Sequence, residues 1–175
     1  GGTGISTVSA VLVMAARLDN LFAQAVNQTG LSQKNGAVTS QIRISKSENL
    51  KLRMSRIPPF EADLLLACDA VVGVADNSLK VLNKDKSQAI FNIDIDPVGV
   101  VGYGNGTKVH EKNIFSRLNN YLDTKKYSTY NIQKICDKLM GNKITANVMM
   151  LGIALQKGLI PISVESVEKA LTLNG

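Results

Sequence analysis

The 175-residue sequence has no tryptophan, one histidine, two cysteines and four prolines. Each shortage closes off a class of function. A lone histidine, His110, leaves no histidine-rich zinc site and argues against a Ser-His-Asp triad; it reads as a loop or helix-start residue. Cys68 and Cys136 are far apart in sequence, which is not a disulfide framework. An iron–sulfur cluster is normally held by four cysteines, so this chain cannot supply one alone. No Gly-Asp-Gly stretch is present for a thiamine–magnesium site. No apolar run reaches the roughly 18 residues of a membrane span; the longest windows, Leu64 to Ala75 and Val148 to Leu155, read as core. Gly1-Gly2-Thr3-Gly4 lacks the basic region of a signal peptide, so the cytoplasm is the expected compartment. The net charge of +6 comes without the interleaved aromatics of a strand-binding groove, even at the densest clusters, Lys46 to Arg56 and Lys125-Lys126. It reads as a solvated surface, or as a basic face for an acidic partner or polyphosphate ligand, and not as a nucleic-acid site.

What is present is a chain of 45% hydrophobic residues with 14 glycines, enough for one well-cored domain over 1–175. Ile5, Val8, Leu12 and Ala15 recur at helical spacing after the opening glycine turn, and Asp19-Asn20 mark the end of that helix. Phe22 to Val26 is a short strand. Leu31 to Gly36 is a loop or one short helix. Ala37 to Ile44 alternates Val38, Ser40, Ile42 and Ile44 with Thr39, Gln41 and Arg43, a half-exposed strand near a sheet edge. Lys46 to Pro59 is a loop. Ala62 to Cys68 and Ala89 to Asn92 are buried strands. Asp69 to Ala75 begins a helical segment, and Asp76-Asn77-Ser78 caps a helix over Leu79 to Leu82. Asp94 to Thr107 is a long irregular loop. Helices follow at Asn113 to Leu122, Ile132 to Met140, Ile144 to Gln156 (ended by Gly158 as a left-handed cap) and Val164 to Leu173 (capped by Ser163). Short apolar strands alternating with helices predict the α/β class, an open Rossmann-like sheet with helices on both faces.

Three stretches carry chemistry. Gly1, Gly2, Thr3 and Gly4 open a helix, where backbone N–H groups and the helix dipole favour an anion. As a dinucleotide fingerprint the turn is incomplete, because no strand precedes it and Asp19 closes the helix instead of ending a second strand. The polar loop with Thr29, Gly30, Lys34 and Gly36 suits a phosphate or carboxylate, or is a plain surface loop. In Ala146-Asn147-Val148-Met149-Met150-Leu151-Gly152, Gly152 would allow close helix approach, while Asn147 would bond a loop or face a partner domain. In open α/β sheets ligands bind outside the carboxyl ends of the strands. The first turn follows a presumed strand and the second loop follows Phe22 to Val26, so both are expected at that one edge.

These residues resemble a known family. The opening glycine turn, Thr29-Gly30-Leu31-Ser32-Gln33-Lys34-Asn35-Gly36-Ala37-Val38, the Ala146 to Gly152 stretch and Gln156-Lys157-Gly158-Leu159-Ile160-Pro161 look like the gamma domain of 2-oxoacid:ferredoxin oxidoreductases. The Thr29 to Val38 stretch and the closing Ala170 to Gly175 resemble the indolepyruvate branch. Gly99 to Lys143 carries little of the likeness. The family pattern has a strand and one more glycine before Gly1, and the loop glycine pair of many relatives is Asn35-Gly36 here. The resemblance implies a fragment of a larger multidomain enzyme, lacking its first strand. Such enzymes decarboxylate a 2-oxoacid, here an aryl pyruvate, on thiamine diphosphate, pass electrons through iron–sulfur clusters to ferredoxin, and transfer the acyl group to coenzyme A. Thiamine diphosphate, magnesium and the clusters are expected in other domains or subunits. This domain is expected to supply coenzyme A contacts and assembly within a homo-oligomer, and to be inactive in isolation. The alternative is a free-standing nucleotide- or coenzyme-binding module.

Overall fold

A computed structural model describes residues 4–29, 37–48, 56–94, 111–139 and 145–174. The chain divides into two compact units, Gly1–Ile57 with Leu151–Gly175, and Pro58–Met150.

The first unit is built on helix α1 (Ile5–Leu18). Its apolar stripe, Val8, Val11, Leu12, Ala15 and Ala16, is buried with Leu151, Ile162, Val167 and Ala170. A fully buried valine or leucine contributes roughly 1.5–3 kcal/mol, so this stripe, rather than intrinsic propensity, holds the helix. Asn20 ends it in the left-handed conformation with φ 57. The Leu21 N–H donates to the Ala16 carbonyl at 2.8 Å and the Asn20 N–H to Arg17 at 3.0 Å, a Schellman closure made with asparagine instead of glycine. This close turn feeds β1 (Phe22–Thr29), which pairs antiparallel with β2 (Val38–Ser45) from Phe22↔Ser45 to Thr29↔Val38. Ala23, Ile42 and Ile44 pack on the α1 cluster. On the other face of β2, the Gln41 side chain accepts the Ile57 N–H at 2.6 Å and the Arg43 guanidinium donates to the Arg56 carbonyl. The alternation read from the sequence is therefore correct.

Strand β1 runs three residues beyond the expected Val26. It does not belong to the parallel sheet: it forms a two-stranded sheet with β2. The expectation that the Gly1 turn and the Thr29 loop share the carboxyl edge of one open sheet is corrected by this pairing.

The second unit carries a parallel sheet in the order β3 (Leu64–Ala67), β4 (Gln88–Asn92), β5 (Tyr127–Tyr130). Central β4 is closed on both faces, with Ile90 and Phe91 at 0% and 1% exposure. This is why it reads as an unbroken apolar run. Strand β5 was not expected: Tyr-Ser-Thr-Tyr is short, half-buried throughout and without apolar alternation. The connecting helices are α2 (Ala70–Gly73), α3 (Asp76–Leu79), α4 (Glu111–Asn119) and α5 (Ile132–Leu139). Asp69 caps α2, accepting the Val71 and Val72 N–H groups at 2.8 and 3.1 Å. The helix expected at Leu79 to Leu82 lies earlier, at Asp76–Leu79, with Ala75 and not Asp76-Asn77-Ser78 before it. Leu79 and Leu82 are instead both buried in the core, and the Ser78 hydroxyl donates to the Val72 carbonyl at 2.9 Å. Phe115 of α4 stacks on Tyr127 of β5, ring centroids 6.4 Å apart.

Helix α6 (Ala146–Gln156) and helix α7 (Val164–Asn174) complete the fold. Gly158, φ 67, ends α6 as expected, with Leu159 donating to Ala154 at 3.0 Å and Gly158 to Leu155 at 2.8 Å. The Ser163 hydroxyl accepts the Ser166 N–H at 3.2 Å, capping α7 as expected. A Cβ at Gly152 would meet nothing within 4 Å, so the close helix approach expected there is absent among the described residues. The 95–107 part of the expected long loop, and His110, lie outside those residues.

Candidate functional site

Gly4 precedes α1 in a left-handed conformation, φ 81 and ψ 20, and no side chain caps the helix. A Cβ is costly at that φ, so glycine is required for the chain to enter the helix here. Its carbonyl accepts the Val8 N–H at 3.0 Å. The N–H groups of the first turn have no intrahelical acceptor by helix geometry, and the first turn carries no acidic residue. Ser6 and Thr7 are exposed beside them.

The other side of this end comes from the hairpin. Ser9 of α1 is 2% exposed. Its Oγ lies 2.9 Å from the Ser6 carbonyl and 3.1 Å from Asn27 Oδ1, its single proton serving both acceptors. Ser40 of β2 donates to the same Asn27 Oδ1 at 2.6 Å. One amide oxygen thereby ties helix, β1 and β2 together. From Ser9 the helix runs back about 7.5 Å to Gly4, and from Asn27 strand β1 runs on about 7 Å to Thr29. Gly4 and the exposed Thr29 thus lie at the same end of the unit. The cause is the reversal at Asn20, which lays β1 antiparallel along α1, and not a shared sheet edge.

Of the remaining predicted residues, Gly1, Gly2, Thr3, Gly30, Lys34 and Gly36 lie outside the described residues. The segment containing Gly30, Lys34 and Gly36 connects Thr29 to Val38, which are paired, so it leaves from and returns to this end. Asn147 belongs to the second unit and is 6% exposed. Among the described residues no buried side-chain nitrogen or oxygen lacks a hydrogen-bond partner, so its amide is used inside the fold. Sequence reasoning missed Asn27. Its signal was available: an asparagine inside a β-branched hairpin, one helix length from a serine on an apolar helix face.

A second polar junction closes the other end of α1. Asp19 accepts the Ser163 N–H at 2.6 Å, the Ser163 hydroxyl at 2.7 Å and the Ser166 hydroxyl. These donors, Ser166 first and then Ser163, hold its carboxyl below the usual carboxylate value against a smaller opposing effect of burial. In the second unit, Asn92 at the end of β4 accepts from the Asp94 and Ile132 N–H groups at 3.2 and 3.1 Å and donates to the Cys68 carbonyl at 3.3 Å. Burial, helped by Asp69, pushes the Cys68 thiol up to about 12. Cys136 is fully buried and its thiol donates to Met149 Sδ at 3.8 Å. A protonated thiol and a buried one do not fit a cluster ligand set. Among the described residues no three metal-ligating side chains gather, and no helix is long and apolar enough to cross a membrane.

Parallel strands joined by helices, beside a glycine-started helix laid along a hairpin, define an α/β protein. The chain belongs to the pyruvate ferredoxin/flavodoxin oxidoreductase family, whose model matches residues 1–174; it is a component of an oxidoreductase. Among solved structures it is similar to the pyruvate oxidoreductase subunit PORC of Thermotoga maritima, at 18% identity and a TM-score of 0.61, covering 97% of this chain and 77% of that one. It is also similar to the gamma subunit of a keto/oxoacid ferredoxin oxidoreductase of Geobacter sulfurreducens PCA, at 20% identity and a TM-score of 0.59, covering 98% and 79%. No curated protein matches the sequence.

Proposed function

We propose that this chain is the gamma-type part of a 2-oxoacid:ferredoxin oxidoreductase acting on an aryl pyruvate such as indolepyruvate, and that its Gly4–Thr29 end binds a phosphate of coenzyme A. The observation that carries the first statement is the family match across residues 1–174. Both similar solved structures are oxidoreductase subunits, one of them a gamma subunit. The aryl pyruvate rests on the Thr29 to Val38 stretch and the Leu-Asn-Gly ending. Partner domains or subunits of the same enzyme hold thiamine diphosphate, magnesium and the clusters, and ferredoxin takes the electrons. The assembly is a homo-oligomer in the cytoplasm.

Coenzyme A supplies the thiol that accepts the acyl group. The task of this chain is to bind and orient its anionic part. The first-turn N–H groups of α1, the Thr3 and Thr29 hydroxyls and the Lys34 ammonium are the donors, with Gly1, Gly2, Gly30 and Gly36 sparing space for close approach. Asn147 serves assembly from inside the second unit. A hydrogen bond to a charged group contributes about 1.5–3 kcal/mol, so Lys34→Ala in the intact enzyme should raise the coenzyme A KM about tenfold or more. Lys46→Ala, a control on scattered charge, should leave it unchanged. An unchanged KM, or an equal rise in both variants, removes the anion role. Co-purification of the full-length gene product should bring down thiamine diphosphate and iron; their absence would favour the free-standing coenzyme-binding module.

A further inference from the structure

We infer that Asn27 is a specificity-determining residue at the Gly4–Thr29 end, presenting its side-chain N–H2 to a phosphate oxygen; this rests on the coenzyme A reading above. Asn27 lies on the exposed last part of β1, yet its side chain is not free to turn. Its Oδ1 accepts from two hydroxyls on two elements, Ser9 on α1 at 3.1 Å and Ser40 on β2 at 2.6 Å. Ser9 is itself 2% exposed, so one of these anchors is set inside the core. An amide places its oxygen and nitrogen on opposite sides of the carbonyl carbon. Fixing Oδ1 toward Ser9 and Ser40 therefore directs Nδ2 away from them. Among the described residues Nδ2 has no acceptor, although an amide nitrogen carries two donors.

The residue types explain the choice of asparagine. Aspartate would accept from both serines equally well, but it would place a second carboxylate oxygen where asparagine has a donor. Leucine would fill a similar volume and leave Ser40 without its acceptor. Only the amide (glutamine reaches one methylene too far) combines an acceptor for the lock with a neutral donor for an anion. The donor costs little rotamer entropy on binding, because the two serine bonds have already ordered it.

The test uses the intact enzyme and two acyl acceptors, coenzyme A and pantetheine, which keeps the thiol and lacks the phosphates. The wild type should favour coenzyme A over pantetheine in kcat/KM. Asn27→Asp keeps the serine lock, so the melting temperature should stay within a few degrees of the wild type. It should raise the coenzyme A KM by tenfold or more, with kcat at saturation and the pantetheine KM unchanged. Asn27→Ser, a small neutral residue, should give an intermediate KM. If the wild type fails to discriminate the two acceptors, the phosphate reading of this end is wrong. If it discriminates and Asn27→Asp leaves the coenzyme A KM unchanged, that reading stands and the role of Asn27 is overturned. A rise in both KM values together would mark Asn27 as a structural residue, and would equally overturn the role.

Discussion

Asp19 takes three donors from the start of α7, two from Ser163 and one from Ser166. A group whose native pKa is depressed stabilises the fold when ionised, and this contribution is lost as pH falls through the native value. For Asp19 the depression starts from 3.8, so the contribution is complete above about pH 5 and disappears in the acid range below its unfolded value. Asp19→Ala should thus lower the denaturant midpoint at pH 7, and the gap from wild type should close as the pH is taken to about 3 and below. A gap of constant size across that range would show that the serines act through packing and not through the carboxylate. Cys68 offers the opposite case: with its thiol pushed up to about 12, it stays neutral at every pH in this experiment.

Helix α6 holds two glycines with opposite expected responses. Gly152 sits within the helix, where a Cβ meets open space. Gly152→Ala should therefore stabilise by about 1 kcal/mol from helix propensity alone. Gly158 also faces open space, but at φ 67, where a Cβ crowds its own carbonyl; Gly158→Ala should destabilise by about 1 kcal/mol. Gly158→Asn should cost less, since Asn20 already fills the equivalent place after α1. Thermal unfolding of the three variants checks the order, and a stabilising Gly158→Ala would contradict it. This element scale is also where the sequence was most readable. Strong periodicity located α1, and cap chemistry located the ends of α6 and α7, because these signals are local. Strand β4 was visible because a doubly covered strand must be apolar. Strand β5 was not, because four half-buried residues carry no period. The partner of β1 was also hidden, since register depends on contacts across the loop and not on the strand's own pattern. At the candidate site, the Gly4 turn was legible as glycine before a helix. The Asn27 lock was not, because it joins three elements through side chains whose spacing in sequence is arbitrary.

For the whole chain, family membership sets a limit on what it can do alone. It has two cysteines, neither suited to a cluster as placed, and it lacks a thiamine–magnesium stretch. Purified by itself and given indolepyruvate, thiamine diphosphate and coenzyme A, it should reduce no methyl viologen above background. Turnover under these conditions would overturn the assignment to one part of a divided enzyme.

The first unit is made from both arms of the chain, Gly1–Ile57 and Leu151–Gly175, with the second unit lying between them in sequence. A ribosome adding roughly 5–20 residues per second needs several seconds to cross the intervening stretch of about 90 residues. Throughout that interval Val11, Leu12 and Ala15 of α1 have been translated, while Val167 and Ala170, which bury them, have not. Residues 58–150 can close first, and the earlier arm must wait with its apolar stripe uncovered until α7 emerges and Asp19 meets Ser163. During synthesis the N-terminal arm is therefore the segment with the longest need of chaperone cover, although it is the first to be made.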